Sequence, residues 1–275
     1  MGVDFQLFTS LRKDAALDET PDHGPDHAGW NKTHKSSIYM LDYHRDRMLR
    51  AATHWNWAAA VDVLQGDNGL LHLAEFIDSS TAERGSPLRV KVLVAQDGQL
   101  ACESSLVPAV PSQNLFPRRL PPPDAPAAEG DPLKENTFEV LPDGETTLRS
   151  EYTHYKTTKR AMYDGARSRA GISLTDKKEV LLVNQDDGSI MEGSLTTPWF
   201  WRGGRWVTPP VPAVFSMDRG SGGQDGTTRR WALERGLAVE EAVHVDTLID
   251  GEECWISNGV RGFIHGKVRL SPKLT

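Results

Sequence analysis

Cysteine is close to absent from this chain: two in 275 residues, Cys102 and Cys254, far apart in sequence. That scarcity excludes a disulfide framework and a paired-cysteine zinc spacing, and it fits a reducing compartment. Positive charge is also short, with 31 Lys and Arg against 38 Asp and Glu and a formal net charge of −7. A nucleic-acid binder would normally show a basic face, so no nucleic-acid partner is expected. No apolar run approaches the roughly 20 residues of a membrane-spanning helix. The opening MGVDFQLF lacks the charged-then-apolar build of a signal peptide. No membrane partner is therefore expected, and a cytoplasmic location is. His23 and His27 have no further ligand at useful spacing, so the expectation is a solvated loop and no metal site. No internal repeat is visible.

What is present is ordinary for a soluble globular protein: 38% hydrophobic and 25% charged residues. The length allows a large core, as one large domain or two modest ones. Residues 3–12 alternate apolar and polar and read as a strand. Residues 14–35 are polar and read as a loop, and 36–41 as a second short strand. A helix from Asp42 places Met48, Ala51, Ala52 and Trp55 near one face. Within it His44 and Arg47 stand three apart. Taken alone, Arg47 reads as a surface arginine pairing with Asp46 or Asp42. Residues 56–85 are helical or mixed, broken at 66–69. Two strands flank an Asp-Gly turn at 97–98, a strong hairpin signal, with Cys102 expected as a small buried residue. Residues 107–135 hold many of the prolines and read as a connection between lobes, with a Pro-rich recognition ligand as the alternative. The expected organisation is a smaller N-terminal α/β domain (1–110), a Pro-rich loop (111–135) and a larger C-terminal domain (136–275).

The second lobe carries most of the chemistry. Residues 152–155 read as an extended run ending at Lys156, and 160–170 as a helix stopped by Gly171. Residues 179–184 and 189–192 read as a hairpin across the Asp-Asp-Gly turn at 186–188, with Glu192 near its end. A second hairpin spans 199–208 around Gly203 and Gly204. The stretch RGSGGQDGTTRRWALERG, 219–236, is a glycine-rich loop running into a helix. No Gly-Lys-Ser/Thr follows, so it is not a Walker loop. Free amides and the helix dipole at such an N-terminus form an anion site, and the hydroxyls of Thr227 and Thr228 add donors. Strands are expected at 242–245 and 254–257, the latter ending at Ser257. One lysine and one glutamate so placed suggest a pyridoxal phosphate site: a lysine forms a Schiff base with the cofactor aldehyde, and a carboxylate partners the pyridinium nitrogen.

The run Lys156, Thr157, Thr158, Lys159, Arg160, followed by Tyr163, Ala166 and Arg167, resembles the fold-type IV pyridoxal phosphate enzymes of the class IV aminotransferase superfamily. It is most similar to the fungal aminodeoxychorismate lyase-like proteins. Lys159 stands where many relatives have asparagine. Glu192, Gly193 and Ser194 resemble the family's Glu-Gly-Ser run, with Thr197 in place of a later asparagine. The resemblance implies a two-lobed α/β (α+β) fold whose larger lobe has a β-barrel-like core, with the cofactor between the lobes. It implies pyridoxal 5'-phosphate held by Lys156 as a Schiff base, by Glu192 at the ring nitrogen, and by Arg47, Thr227, Thr228 and Ser257 at the phosphate. Lys156 is the implied catalytic residue, acting through a quinonoid intermediate on a small-molecule amino substrate. Arg261 and His265 are expected at the surface, with an edge of the same pocket as the alternative. The favoured activity is aminodeoxychorismate lyase, giving 4-aminobenzoate and pyruvate for folate biosynthesis. The alternative is an aminotransferase using D-amino acids or (R)-amines, and a third reading is a catalytically silent binding relative. A homodimer is implied as well.

Overall fold

The computed structural model describes residues 4–18, 29–81, 85–126 and 128–270, so His23 and His27 lie outside the described residues. Two compact units emerge: Met1–Ser112 with Tyr155–Lys159, and Gln113–His154 with Arg160–Thr275. The five residues around Lys156 therefore belong to the first unit, although the chain on either side of them belongs to the second.

The first unit is built on an antiparallel sheet in the order β1 (Leu7–Lys13), β2 (Leu88–Val94), β3 (Leu100–Leu106). In β2 the alternate residues Leu88, Val90, Val92 and Val94 are buried, the period-2 pattern of a strand with one covered face. The hairpin to β3 turns at Gly98, whose φ of 83° suits a residue without a side chain. Cys102, expected to be buried, is only partly so, because β3 is the outer edge strand and most of its residues face solvent. Among the described residues four α-helices follow the first strand: α1 (Gly29–Thr33), α2 (Leu41–His54), α3 (Ala58–Leu64) and α4 (Gly66–Ser80). On α2, Met48, Ala51 and Ala52 form a buried stripe as the spacing predicts, whereas Trp55, expected on the same face, caps the helix and is only partly buried. The strand expected at 36–41 is reduced to a single bridge between Ile38 and Lys13. Met40, at φ 50°, turns the chain left-handed into α2, and Asn31 holds that turn by accepting from the Met40 amide (2.7 Å) and donating to the Ile38 carbonyl (2.9 Å).

A single turn, α5 (Ser112–Leu115), spans the point in the sequence where the first unit gives way to the second. The second unit then contains β4 (Phe138–Thr147), α6 (Glu151–His154), α7 (Ala161–Arg169), β5 (Lys178–Asn184), β6 (Ile190–Gly193), β7 (Thr197–Arg202), β8 (Arg205–Thr208), α8 (Thr227–Glu234), β9 (Val239–Glu240), β10 (Glu253–Asn258) and β11 (Gly262–Val268). Its eight strands lie in the order β6-β5-β4-β11-β10-β7-β8-β9. The sheet curls into a half-barrel, which is the barrel-like core expected of this lobe. β5 is buried on both faces: Leu181 and Val183 join one apolar cluster, while Val180 and Leu182 join another against Tyr163 and Ala166 of α7.

Three local expectations fail here. Residues 152–155 are not extended, because the Ser150 carbonyl accepts from the Thr153 and His154 amides and winds the chain into α6. The strand expected at 242–245 is absent; His244 forms one bridge to Ser189, and a 3-10 turn occupies Val245–Thr247. His265 is buried rather than superficial, pointing inward from β11 with Nδ1 2.9 Å from the Thr137 hydroxyl. Among the described residues no helix is long and apolar enough to cross a membrane.

Candidate active site

The placement of Glu192 depends on an irregularity in strand pairing. In the β5–β6 hairpin Leu182 pairs with Glu192, but Val183 pairs with Ile190, so Met191 is an extra residue. Such a bulge breaks the alternation of faces. Ile190 packs in the same cluster as Val183, while Met191 joins the cluster of Leu182 and Tyr163. Paired opposite Leu182, Glu192 takes the α7 side as well. Without the bulge its carboxylate would alternate into the apolar cluster around Ile190. Instead Tyr163 Oη lies 2.5 Å from Glu192 Oε1. Tyr163 is fully enclosed, and burial first, then the Glu192 carboxylate, holds its phenol well above the ordinary range. Glu192 itself is 8% exposed.

The segment after Glu192 is fixed by another acid. Buried Glu179 accepts from the Ser194 amide (3.1 Å) and hydroxyl (2.5 Å), the Leu195 amide (3.2 Å) and the Thr196 hydroxyl (2.9 Å). Arg160 donates to the Ser194 carbonyl at 2.9 Å, and Arg167 to the Ser194 hydroxyl at 2.9 Å. Arg160, Tyr163 and Arg167 recur three and four residues apart, so one stripe of α7 serves the whole segment.

The glycine-rich loop packs against this hairpin. A Cβ on Gly223 would lie 2.4 Å from the Met191 carbonyl oxygen and 3.1 Å from Glu192 Cβ. Gln224 donates to Tyr163 Oη at 2.9 Å. Arg149, on the far side, donates to Asp186 (2.8 Å) and to the Gly220 carbonyl (3.1 Å), tying the loop to the β5–β6 turn. Gly226 then caps α8, and a Cβ there would approach the Thr197 hydroxyl to 2.6 Å. Thr228 Oγ1 and Ser257 Oγ are 2.9 Å apart, and Trp199 Nε1 donates to the same Ser257 oxygen at 2.9 Å. Thr227 Oγ1 is buried with no hydrogen-bond partner. A buried hydroxyl without a partner is uncommon and asks for an explanation. At the N-terminus of α8, where the cap residue Gly226 offers no side-chain hydrogen bond, it fits an anionic group such as a phosphate.

In the first unit Lys156 lies beside β1. Phe8 donates its amide to the Lys156 carbonyl (3.1 Å), Thr158 donates to Gln6 (2.9 Å), and Leu7 bridges Thr157. Lys156 Nζ stands 4.9 Å from the centroid of the Phe8 ring. Arg47 donates to Thr9 Oγ1 at 2.5 Å, while Arg45 donates to Asp46 at 2.8 Å. The same hydroxyl lies 2.6 Å from His44 Nδ1. His44 is fully buried, and its pKa falls well below the ordinary value through burial first, then the positive charges of Arg47 and Lys156. Lys159 turns to Asp4 at 2.8 Å.

The structure thus groups Glu192, Thr227, Thr228 and Ser257 in the second unit, and Lys156 and Arg47 in the first. Sequence reading passed over Thr9, Glu179 and Gln224, and named Tyr163 only within a motif. The one signal for Tyr163 is its place on the Arg160–Arg167 stripe; Gln224 carries none.

Residues 31–267 match the family described as amino-transferase class IV. The aminodeoxychorismate lyase of Saccharomyces cerevisiae is 28% identical over 148 residues, 48% of this chain and 37% of the yeast protein. The chain thus matches well under half the length of that relative. In fold the chain is similar to the 4-amino-4-deoxychorismate lyase of Pseudomonas aeruginosa, with TM-score 0.60, 16% identity and coverage of 97% of this chain and 83% of that one. It is also similar to a hypothetical aminotransferase from Mycobacterium tuberculosis in its α-ketoglutarate- and PMP-bound form, with TM-score 0.57, 14% identity and coverage of 97% and 84%.

Proposed function

Since the chain belongs to the class IV aminotransferases, pyridoxal-phosphate lyases and aminotransferases of fold type IV, we propose that it is an aminodeoxychorismate lyase. The similarity to the yeast lyase carries this reading. The site supports the cofactor independently. Glu192 is a buried carboxylate anchored on a phenol, suited to face a protonated ring nitrogen. Thr227 supplies a buried hydroxyl and α8 a free N-terminus for the phosphate, with Thr228, Ser257 and Arg47 as further donors. Lys156 is the residue to hold the aldehyde.

When bound, pyridoxal phosphate supplies an electron sink that eases removal of the proton on the carbon bearing the substrate amine. Lys156 would hold the cofactor aldehyde, and its Nζ, as a free amine, would take that proton and return one to the methylene carbon of the departing enolpyruvyl group. Glu192 would face the ring nitrogen, where a carboxylate favours a proton on that nitrogen. Arg47, Thr227, Thr228 and Ser257 would hold the phosphate end, so that the bond to be broken stays aligned. The products are 4-aminobenzoate and pyruvate, which together hold every atom of the substrate.

The test is to incubate the purified protein, supplied with pyridoxal phosphate, with aminodeoxychorismate. Equal amounts of 4-aminobenzoate and pyruvate are expected, and Lys156→Ala should reduce the rate by at least about 10²–10⁴-fold. Rapid alanine formation from an amine donor and pyruvate, with no 4-aminobenzoate, would instead assign transamination.

A further inference from the structure

Glu192, Tyr163 and Gln224 form a directed chain of hydrogen bonds whose polarity can be worked out. Tyr163 has one hydroxyl proton and two oxygen acceptors in reach, Glu192 Oε1 at 2.5 Å and the Thr153 carbonyl at 3.2 Å. A carboxylate at the shorter distance is the stronger acceptor, so the proton points at Glu192. The phenol oxygen must then accept from its other neighbour, and Gln224 presents its amide NH₂ there at 2.9 Å. All three groups are buried. Each bond strengthens the next: a phenol that accepts from an amide is a better donor to the acid.

We infer that Tyr163 and Gln224 are positioning residues that keep Glu192 ionised and aimed, Gln224 from the glycine-rich loop and Tyr163 from α7. The inference rests on reading Glu192 as the partner of the cofactor ring nitrogen. Its physical content is where one proton resides. With Tyr163 donating, the anionic form of Glu192 is favoured and the shared proton stays on the ring nitrogen. Without that donor the carboxylate becomes more basic, and the proton moves from nitrogen to Glu192 oxygen. A hydrogen bond to a charged group is strong enough to change that ratio about ten- to a hundredfold. The glycine-rich loop therefore does more than bind the phosphate, because through Gln224 it also tunes the opposite end of the ring.

The test uses the full chain reconstituted with pyridoxal phosphate labelled with ¹⁵N in the ring, as wild type, Tyr163→Phe, Gln224→Leu and Glu192→Gln. The ring-nitrogen chemical shift at neutral pH reports protonation directly, and thermal unfolding of each cofactor-free protein reports structure. In wild type the protonated position is expected, and in Glu192→Gln the unprotonated one. Tyr163→Phe should move the resonance part of the way, and Gln224→Leu less far in the same direction. Should Tyr163→Phe be unable to fold, Gln224→Leu reads the same effect. If both variants melt lower but leave the resonance where wild type has it, the two side chains only pack, and the inference is overturned. If Glu192→Gln itself leaves the resonance unmoved, the assignment of Glu192 fails first, a distinguishable result.

Discussion

At the scale of single residues, the chemistry is set by which groups are kept charged and which are kept neutral. His44 is the clearest neutral case. Its folded pKa lies well below the ordinary value, because burial and the cations Arg47 and Lys156 all oppose protonation. Well above about pH 6.5 neither folded nor unfolded protein protonates this ring, and the site has no effect on stability. As pH falls below that value the unfolded chain binds a proton that the folded chain refuses, so stability drops. For one site the slope reaches about 1.4 kcal/mol per pH unit until the folded pKa is passed. His44→Asn keeps a polar group against Thr9 but removes the titration. Urea unfolding at stepwise pH should show a shallower acid limb in the variant, and two parallel limbs would refute the assignment. The pair His44 and Arg47 was visible in the sequence as a spacing of three. That Thr9 joins them was not, because β1 and α2 meet only through the fold.

At the scale of elements, the hairpins and helix stops were legible because glycine marks them. Gly98, Gly171, Gly188, Gly203 and Gly204 all take positive φ where turns were expected. The Met191 bulge was not legible. Periodicity reports which face a residue takes in a regular strand, and only the partner strand reveals an extra residue. The close approaches of the glycine-rich loop were equally hidden, and they allow a graded prediction. A methyl at Gly223 meets the Met191 backbone carbonyl, which cannot turn away, whereas at Gly226 it meets the Thr197 hydroxyl, which can rotate. Gly223→Ala should therefore cost about 1–3 kcal/mol of stability and weaken cofactor binding. Gly226→Ala should cost less in stability while displacing the start of α8. Denaturation midpoints and cofactor titrations of both variants check this, and equal losses would contradict the distinction between rigid and movable neighbours.

At the scale of the whole molecule, composition placed the chain only among globular proteins, the α/β class came from the family resemblance, and the Pro-rich stretch at 107–135 includes the point, Ser112, where the two compact units part. Nothing in the sequence showed that Tyr155–Lys159 would pack with the first unit. Local pattern cannot reveal a strand segment whose partner lies about 150 residues earlier. Hydrogen exchange of the intact chain tests the assignment. The amides of Phe8 and Thr158, which donate to Lys156 and Gln6, should exchange at one common rate. That rate should follow β1 rather than α7, and exchange of Thr158 in step with α7 would sink the idea. Lys156 thus takes its backbone anchorage from the first unit through a segment of five residues, while Glu192 and the α8 hydroxyls take theirs from the second. Local opening of the β1 sheet would release the Lys156 segment without disturbing the groups held in the second unit. Substitutions in β1, about 150 residues away in sequence, are therefore expected to reach the Lys156 backbone before substitutions in α7 do.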